Sequence, residues 1–476
     1  MIPKSWVCSD SHCRLPITSF ADPSPDSGFS MNTPFLTTRR EFLRSSVLGG
    51  SLAWTVPSFV AGTFDALHAA ERDKATSTVT GRDAPILVIL QLAGGNDGLN
   101  SVVPFTDDHY HRARPHLGLN AGQILRLDDH FGLHPALEGF RELHDAGQLG
   151  IVHAVGYPNP NRSHFRSMEI WATGSDAERF EKQGWLGRYF DHACSGADPT
   201  VGIAIGRQLP QAFAARKPTG VALENTQALR LADGAMDAEM GLDEADGTLR
   251  TMAEGGEMTI FSTESGGSVD APSGRAVLGG SPLDFLQRTA MDARVSSGVI
   301  RSVADRVKNS VNYPAGSLGS SLGLVARLIG GGLASRIYYV NQGGYDTHTG
   351  QAATHDRLLK DLGNSVKAFM TDLRGQGNQD RVLILTFSEF GRRVGENASG
   401  GTDHGAAAPL FVIGGRVKSG WIGKPASLAP GDLLNGDVRF RTDFRSVYAT
   451  VLEKWLRTPS TPVLGRQFAG LDILKS

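Results

Sequence analysis

The chain predicts an α/β fold, with a sheet covered by helices on both faces. Two observations lead there. Apolar runs of strand length recur at 84–92, 149–155, 336–340, 381–387 and 409–413, and amphipathic helical patterns fall between most of them. Several of the runs also end directly in glycine-rich loops that carry ionisable side chains, which is where open α/β sheets place their sites. The densest such stretch is 381–415. There a strand buried on both faces leads into Ser388, Glu389, Phe390, Gly391, Arg392 and Arg393, and then into Gly401, Thr402, Asp403, His404 and Gly405.

Composition narrows the function classes. The net charge of −2 and the lack of a basic stripe exclude the electrostatic footprint of a nucleic-acid binder. The cysteines are Cys8, Cys13 and Cys194. Once the amino terminus is removed, Cys194 stands alone and no intrachain disulfide can form.

The amino terminus reads as an address. Thr38, Arg39, Arg40, Glu41, Phe42, Leu43 and Arg44 form a twin-arginine export motif, followed by a modestly apolar run at 45–60. That run is too short and too rich in Gly and Ser for a stable membrane span. Residues 31–69 are therefore expected to be a signal region read by the twin-arginine translocation machinery. Cleavage is expected within 61–70, and the mature protein is expected to be periplasmic or secreted. Met31 is well placed as initiator, which makes residues 1–30 a gene-model extension or a disordered segment.

Residues 70–476 are expected to form one α/β domain. The strand at 84–92 ends in Gly94, Gly95, Asn96 and Asp97, where glycines permit a tight turn. Apolar spacing predicts a helix at 135–143, then a strand at 149–155. Asn161, Arg162, Ser163, His164, Phe165 and Arg166 open a helical pattern that runs through Trp171. Ser163 near that helix start reads either as a nucleophile, activated by His164 or by a metal, or as an N-cap. Arg162 and Arg166 suit an anion such as phosphate or sulfate. Short strands are expected at 201–205 and 220–223. The acidic, Gly/Ser-rich stretch 233–274 reads as a surface insertion with little core. Helices are predicted at 282–307 and 318–329. The strand at 336–340 leads into Asp346 and His348, followed by the longest amphipathic helix, 352–373. A last helix at 444–456 is expected to cover one sheet face.

Three segments thus deliver Asp97, Asp346 with His348, and Glu389 with Asp403 and His404, all at predicted strand ends. Mixed carboxylate and imidazole donors suit Zn, Mn or a similar divalent metal, and six donors suffice for one or two ions. Such a site would serve phosphoryl or sulfuryl transfer, with Ser163 or water attacking and Arg392 and Arg393 holding the departing anion.

Taken together, the segments 91–100, 161–165, 344–348, 386–392 and 401–405 resemble the exported bacterial domain-of-unknown-function 1501 family, over residues from about 85 to the carboxyl end. That family is in turn similar to the alkaline phosphatase and sulfatase superfamily. The resemblance implies an alkaline-phosphatase-like, three-layer α/β/α sandwich with a mostly parallel sheet, and metal-binding roles for Asp97, Asp346, His348 and His404. Where sulfatases carry Ser-Asp-His-Gly this chain has Ser388, Glu389, Phe390 and Gly391, and Phe390 offers no ligand atom. No Cys-x-Pro-x-Arg motif is present. The expected function is a periplasmic metal-dependent hydrolase of small anionic phosphate or sulfate esters. The alternative is a non-catalytic exported binding or assembly protein on the same fold, with a degenerate metal site.

Overall fold

The computed structural model describes residues 84–195, 197–216, 219–223 and 298–475. The expected extension at 1–30, the signal region at 31–69, the insertion at 233–274 and the expected helix at 282–307 up to residue 297 lie outside them. All described residues belong to the compact unit His68–Ser476.

The central sheet is built on β1 (Ile86–Ala93), whose branched side chains are buried from end to end. It lies between two parallel neighbours, β8 (Ile337–Gly343) and β9 (Val382–Phe387). Beyond β8 follow β6 (Gly202–Ile205) and β7 (Val221–Leu223), also parallel. On the other side β10 (Ala408–Ile413) runs antiparallel to both β9 and β5 (Leu149–Gly156). Two short strands, β11 (Gly420–Ile422) and β12 (Thr442–Asp443), extend β5 in parallel. The strands β2 (Val102–Val103), β3 (Leu125–Arg126) and β4 (Gly132–Leu133) make a separate small sheet. The sequence pattern does not mark these last five short strands, since runs of two or three residues leave little period to read.

Alternation along β1 sends Ile86, Val88, Leu90 and Leu92 to one core and Leu87 and Ile89 to the other. The first core is covered by helices α1 (Glu138–Asp145), α4 (Ser317–Gly330) and α5 (Gln351–Gly375). The second is covered by α2 (His164–Thr173), α3 (Trp185–Ala193) and α6 (Phe444–Thr450). The architecture is a three-layer α/β/α sandwich with a mostly parallel sheet.

Local differences have local causes. The helix expected from Pro135 begins at Glu138, because residues 134–137 close a turn in which the Leu137 N–H donates to the His134 carbonyl (2.9 Å). The last helix changes to a π-turn at Val451–Trp455, which lets the Trp455 indole donate to the Ile86 carbonyl at the start of β1 (2.9 Å). Among the described residues no helix is long and apolar enough to cross a membrane.

Candidate metal centre

The loops after β1, β5, β8 and β9 meet at one rim of the sheet. Close backbone approach makes this possible. Gly94 has φ +120°, and a Cβ there would lie 2.4 Å from the Asp346 backbone nitrogen, so only glycine lets the β1 and β8 loops touch. Ser388 ties the β1 and β9 ends together, donating to the Leu92 carbonyl (2.6 Å) and accepting from the Asn96 N–H (2.8 Å). In the β9–β10 loop, Gly405 N–H to Gly391 O (2.8 Å) and Arg393 N–H to Asp403 O (3.0 Å) pin His404 opposite Arg392.

Four side chains converge at this rim. His404 Nε2 lies 3.2 Å from Asp346 Oδ1 and 2.9 Å from His348 Nε2. His348 Nε2 lies 3.1 Å from the same Asp346 oxygen. His164, the first residue of α2, places Nε2 3.4 Å from Asp346 Oδ2. One ligand atom each from His164, Asp346 and His404 fits within 4.8 Å, and no other group of three or more is found among the described residues.

The outer partners define the ring protons. His404 Nδ1 faces the Arg162 carbonyl (2.8 Å), which can only accept, so Nδ1 carries the hydrogen and Nε2 a lone pair. The same logic applies to His164 Nδ1 against the Glu389 carboxylate (2.8 Å) and to His348 Nδ1 against the Asp403 carboxylate (3.2 Å). Three imidazoles therefore aim lone pairs at one carboxylate, as metal-binding histidines held by outer oxygens do. His164 Nε2 is buried without a hydrogen bond, and two facing lone pairs 2.9 Å apart repel unless a cation or proton lies between them. The donor set fits a divalent cation. Burial raises the Asp346 pKa, but the hydrogen bond and positive charge of the Arg392 guanidinium beside it outweigh this, and the group is held at about 2.

Several expected site residues sit elsewhere. Asp97 is buried outside the cluster, its carboxylate taken by Arg114 at 2.6 Å with both side chains fully buried. It also accepts from the Gln351 amide. Glu389 is buried and acts on His164 and the Gly94 N–H (2.8 Å) rather than joining the donor group. Asp403 orients His348 from the outside, supported by the Asn397 amide (3.1 Å).

The four arginines expected to hold an anion are committed to other partners. Arg392 is 1% exposed and donates to the carbonyls of Gly94, Gly95, Thr402 and Tyr345 as well as to Asp346. It is a structural rivet. Arg162 and Arg393 pair with the buried Asp437. Arg166 binds the carbonyls of Ala177 (2.8 Å) and Arg179 (2.7 Å) and stacks on Phe180. Ser163 stands at the N-cap position but its hydroxyl makes no capping bond. Phe390 packs its ring against His404 and His164, with centroids 4.5 and 4.8 Å away.

The profile of a family described as "Protein of unknown function (DUF1501)" matches residues 84–456. The chain belongs to the DUF1501 family. A search of the curated proteins returns no match for this DUF1501 member. Among solved structures it is similar to the PsFucS1 sulfatase from Pseudoalteromonas sp., at 12% identity and TM-score 0.34, covering 86% of this chain and 74% of that one. It is also similar to the phosphonate monoester hydrolase of Agrobacterium radiobacter, at 11% identity and TM-score 0.33, covering 81% and 78%. The zinc complex of the carboxyl-terminal periplasmic domain of EcEptC from Escherichia coli matches at 9% identity and TM-score 0.32, covering 70% and 73%.

Proposed function

We propose that this DUF1501 member is an exported, metal-dependent hydrolase of phosphate or sulfate esters that uses a single divalent ion. The observation that supports it is the set of three imidazole lone pairs aimed at Asp346, with the His164 Nε2 buried and unpartnered. His164, His404 and Asp346 would hold the ion, with His348 beside them. A divalent ion bound there would polarise an ester oxygen and lower the pKa of a bound water.

The chain's own groups supply orientation. Glu389, Asp403 and the Arg162 carbonyl hold the rings. The first turn of α2 directs backbone N–H groups and a favourable dipole toward an anion at the rim. The Ser163 hydroxyl, free of capping duty, stands beside His164 as the candidate nucleophile. Export through the twin-arginine machinery belongs to the same reading and rests on the motif at 38–44.

A second reading is an exported binding or assembly protein. Two observations favour it: the capture of Asp97 by Arg114, and the apolar Phe390 packed against two of the histidines. Elemental analysis of the exported protein, followed by hydrolysis assays with 4-nitrophenyl phosphate and 4-nitrophenyl sulfate, separates the readings. About one equivalent of Zn or Mn, lost in His404→Ala together with turnover, supports the hydrolase. Metal without turnover on either ester supports the binding protein.

A further inference from the structure

A second cavity lies behind the rim, between the start of β10, the turn after β1 and the 425–438 loop. It opens to solvent at its mouth. Its walls are mostly apolar, among them Val102, Phe131, Ala408, Pro409 and Leu428. Its two ionic residues are already engaged. Arg392 spends its N–H groups on the rim loops, and the Asp107 carboxylate accepts from the His109 N–H (2.8 Å).

One polar side chain in the wall has no partner. His153 of β5 is 6% exposed and lines the cavity. It stacks on Trp421 at 4.8 Å and leans on Phe131 at 5.2 Å, and its ring nitrogens make no hydrogen bond among the described residues. Burial pushes its pKa down to about 4, so the ring is neutral at physiological pH and offers one N–H and one lone pair. Buried polar groups are ordinarily paired, and one left open toward a cavity calls for an occupant.

The sheet itself is distorted at this wall. Ala154, next in β5, has φ +46°, and the facing pairing shifts register between Ala408 and Leu410. Strain of this kind collects where a structure holds a ligand.

We infer that this cavity binds a small, uncharged, mainly apolar molecule carrying one hydroxyl, with His153 as its hydrogen-bond partner. Apolar walls without a free counter-charge reject ions, and an apolar pocket with few placed polar groups is the usual form of a small-molecule site. The inference is independent of the hydrolase reading.

Calorimetry with 4-ethylphenol and ethylbenzene tests it, using the full-length exported protein. The wild type is expected to bind 4-ethylphenol at one saturable site, about fivefold to tenfold more tightly than ethylbenzene, the advantage of one hydrogen bond. His153→Phe should equalise the two probes. Ala426→Phe, at a partly exposed wall position, should abolish binding of both. Absence of saturable 4-ethylphenol binding to the wild type overturns the inference. So does an unchanged preference in His153→Phe, or undiminished binding in Ala426→Phe.

Discussion

Replacing Arg114 with methionine keeps much of the side-chain volume and removes the charge that faces Asp97. The two side chains are fully buried and 2.6 Å apart. Arg114 also donates to Asn100 (2.7 Å) and to the carbonyls of Val394 (2.9 Å) and Arg393 (3.0 Å). Burial alone raises the Asp97 pKa. The charge and hydrogen bond of Arg114, together with a hydrogen bond from Gln351, more than reverse this, so the carboxyl sits below its ordinary value. A carboxylate with a depressed folded pKa contributes stability above its unfolded pKa of about 3.9, and that contribution is lost as pH falls through the folded value. At pH 7 the pair is fully formed. Arg114→Met would strand a buried carboxylate, at a cost of about 3–5 kcal/mol. For a folded body of this size that is a fall in Tm of about 4–6 °C. Thermal unfolding followed by circular dichroism reads the loss, and elemental analysis of the same samples reads the metal. Expected is a lower Tm with unchanged metal per folded chain. An unchanged Tm would refute the reasoning, as would an Asp97→Asn variant that sheds metal at wild-type Tm, since Asp97 would then be a ligand.

Other outcomes follow from the same geometry. His404→Ala and Asp346→Asn should each remove the bound metal while changing Tm little, because both side chains are partly exposed; elemental analysis and calorimetry check this. His355, buried and held at about 3 chiefly by desolvation, is neutral when folded and takes a proton when unfolded below about pH 6.5. Stability should therefore be full above that pH and fall as pH drops toward 3. In His355→Phe, urea titrations at several pH values should show a slope shallower by about 1.4 kcal/mol per pH unit. Gly94→Ala places a Cβ against the Asp346 backbone at a positive φ, and should cost at least about 2 kcal/mol and disperse the cluster, read as joint loss of Tm and metal. Phe390→His should raise metal affinity, measured by competition with a chromogenic chelator, because the new imidazole would replace a ring already packed on His164 and His404.

Local pattern was enough for the elements that bury a continuous face. The runs at 84–92, 149–155 and 381–387 became β1, β5 and β9, and Leu358, Leu362, Val366, Phe369 and Leu373 line the buried side of α5 as their spacing predicts. Burial on one side or both leaves a period in the residues themselves, so one chain suffices to read it. The rim was also legible in part. Asp346, His348 and His404 were placed at strand ends and do meet.

Partner choice was not legible. Asp97 and Asp346 look alike in sequence, each an acid after a glycine turn. One is neutralised by Arg114, seventeen residues along, and the other is surrounded by three imidazoles. The sequence offers His164 as a base for Ser163, with a metal as the alternative activator, yet its free nitrogen points at Asp346 because Glu389, 225 residues away, holds the opposite side of the ring. Arg392 looked like an anion holder until four backbone carbonyls claimed it. Residue type and order determined the strands, the helices and which loops would carry ionisable groups. Which of those groups end buried in ion pairs and which face one another at the rim was decided only by tertiary packing. Electrostatic fate depends on desolvation and on neighbours within a few ångströms, and neither quantity is local in sequence.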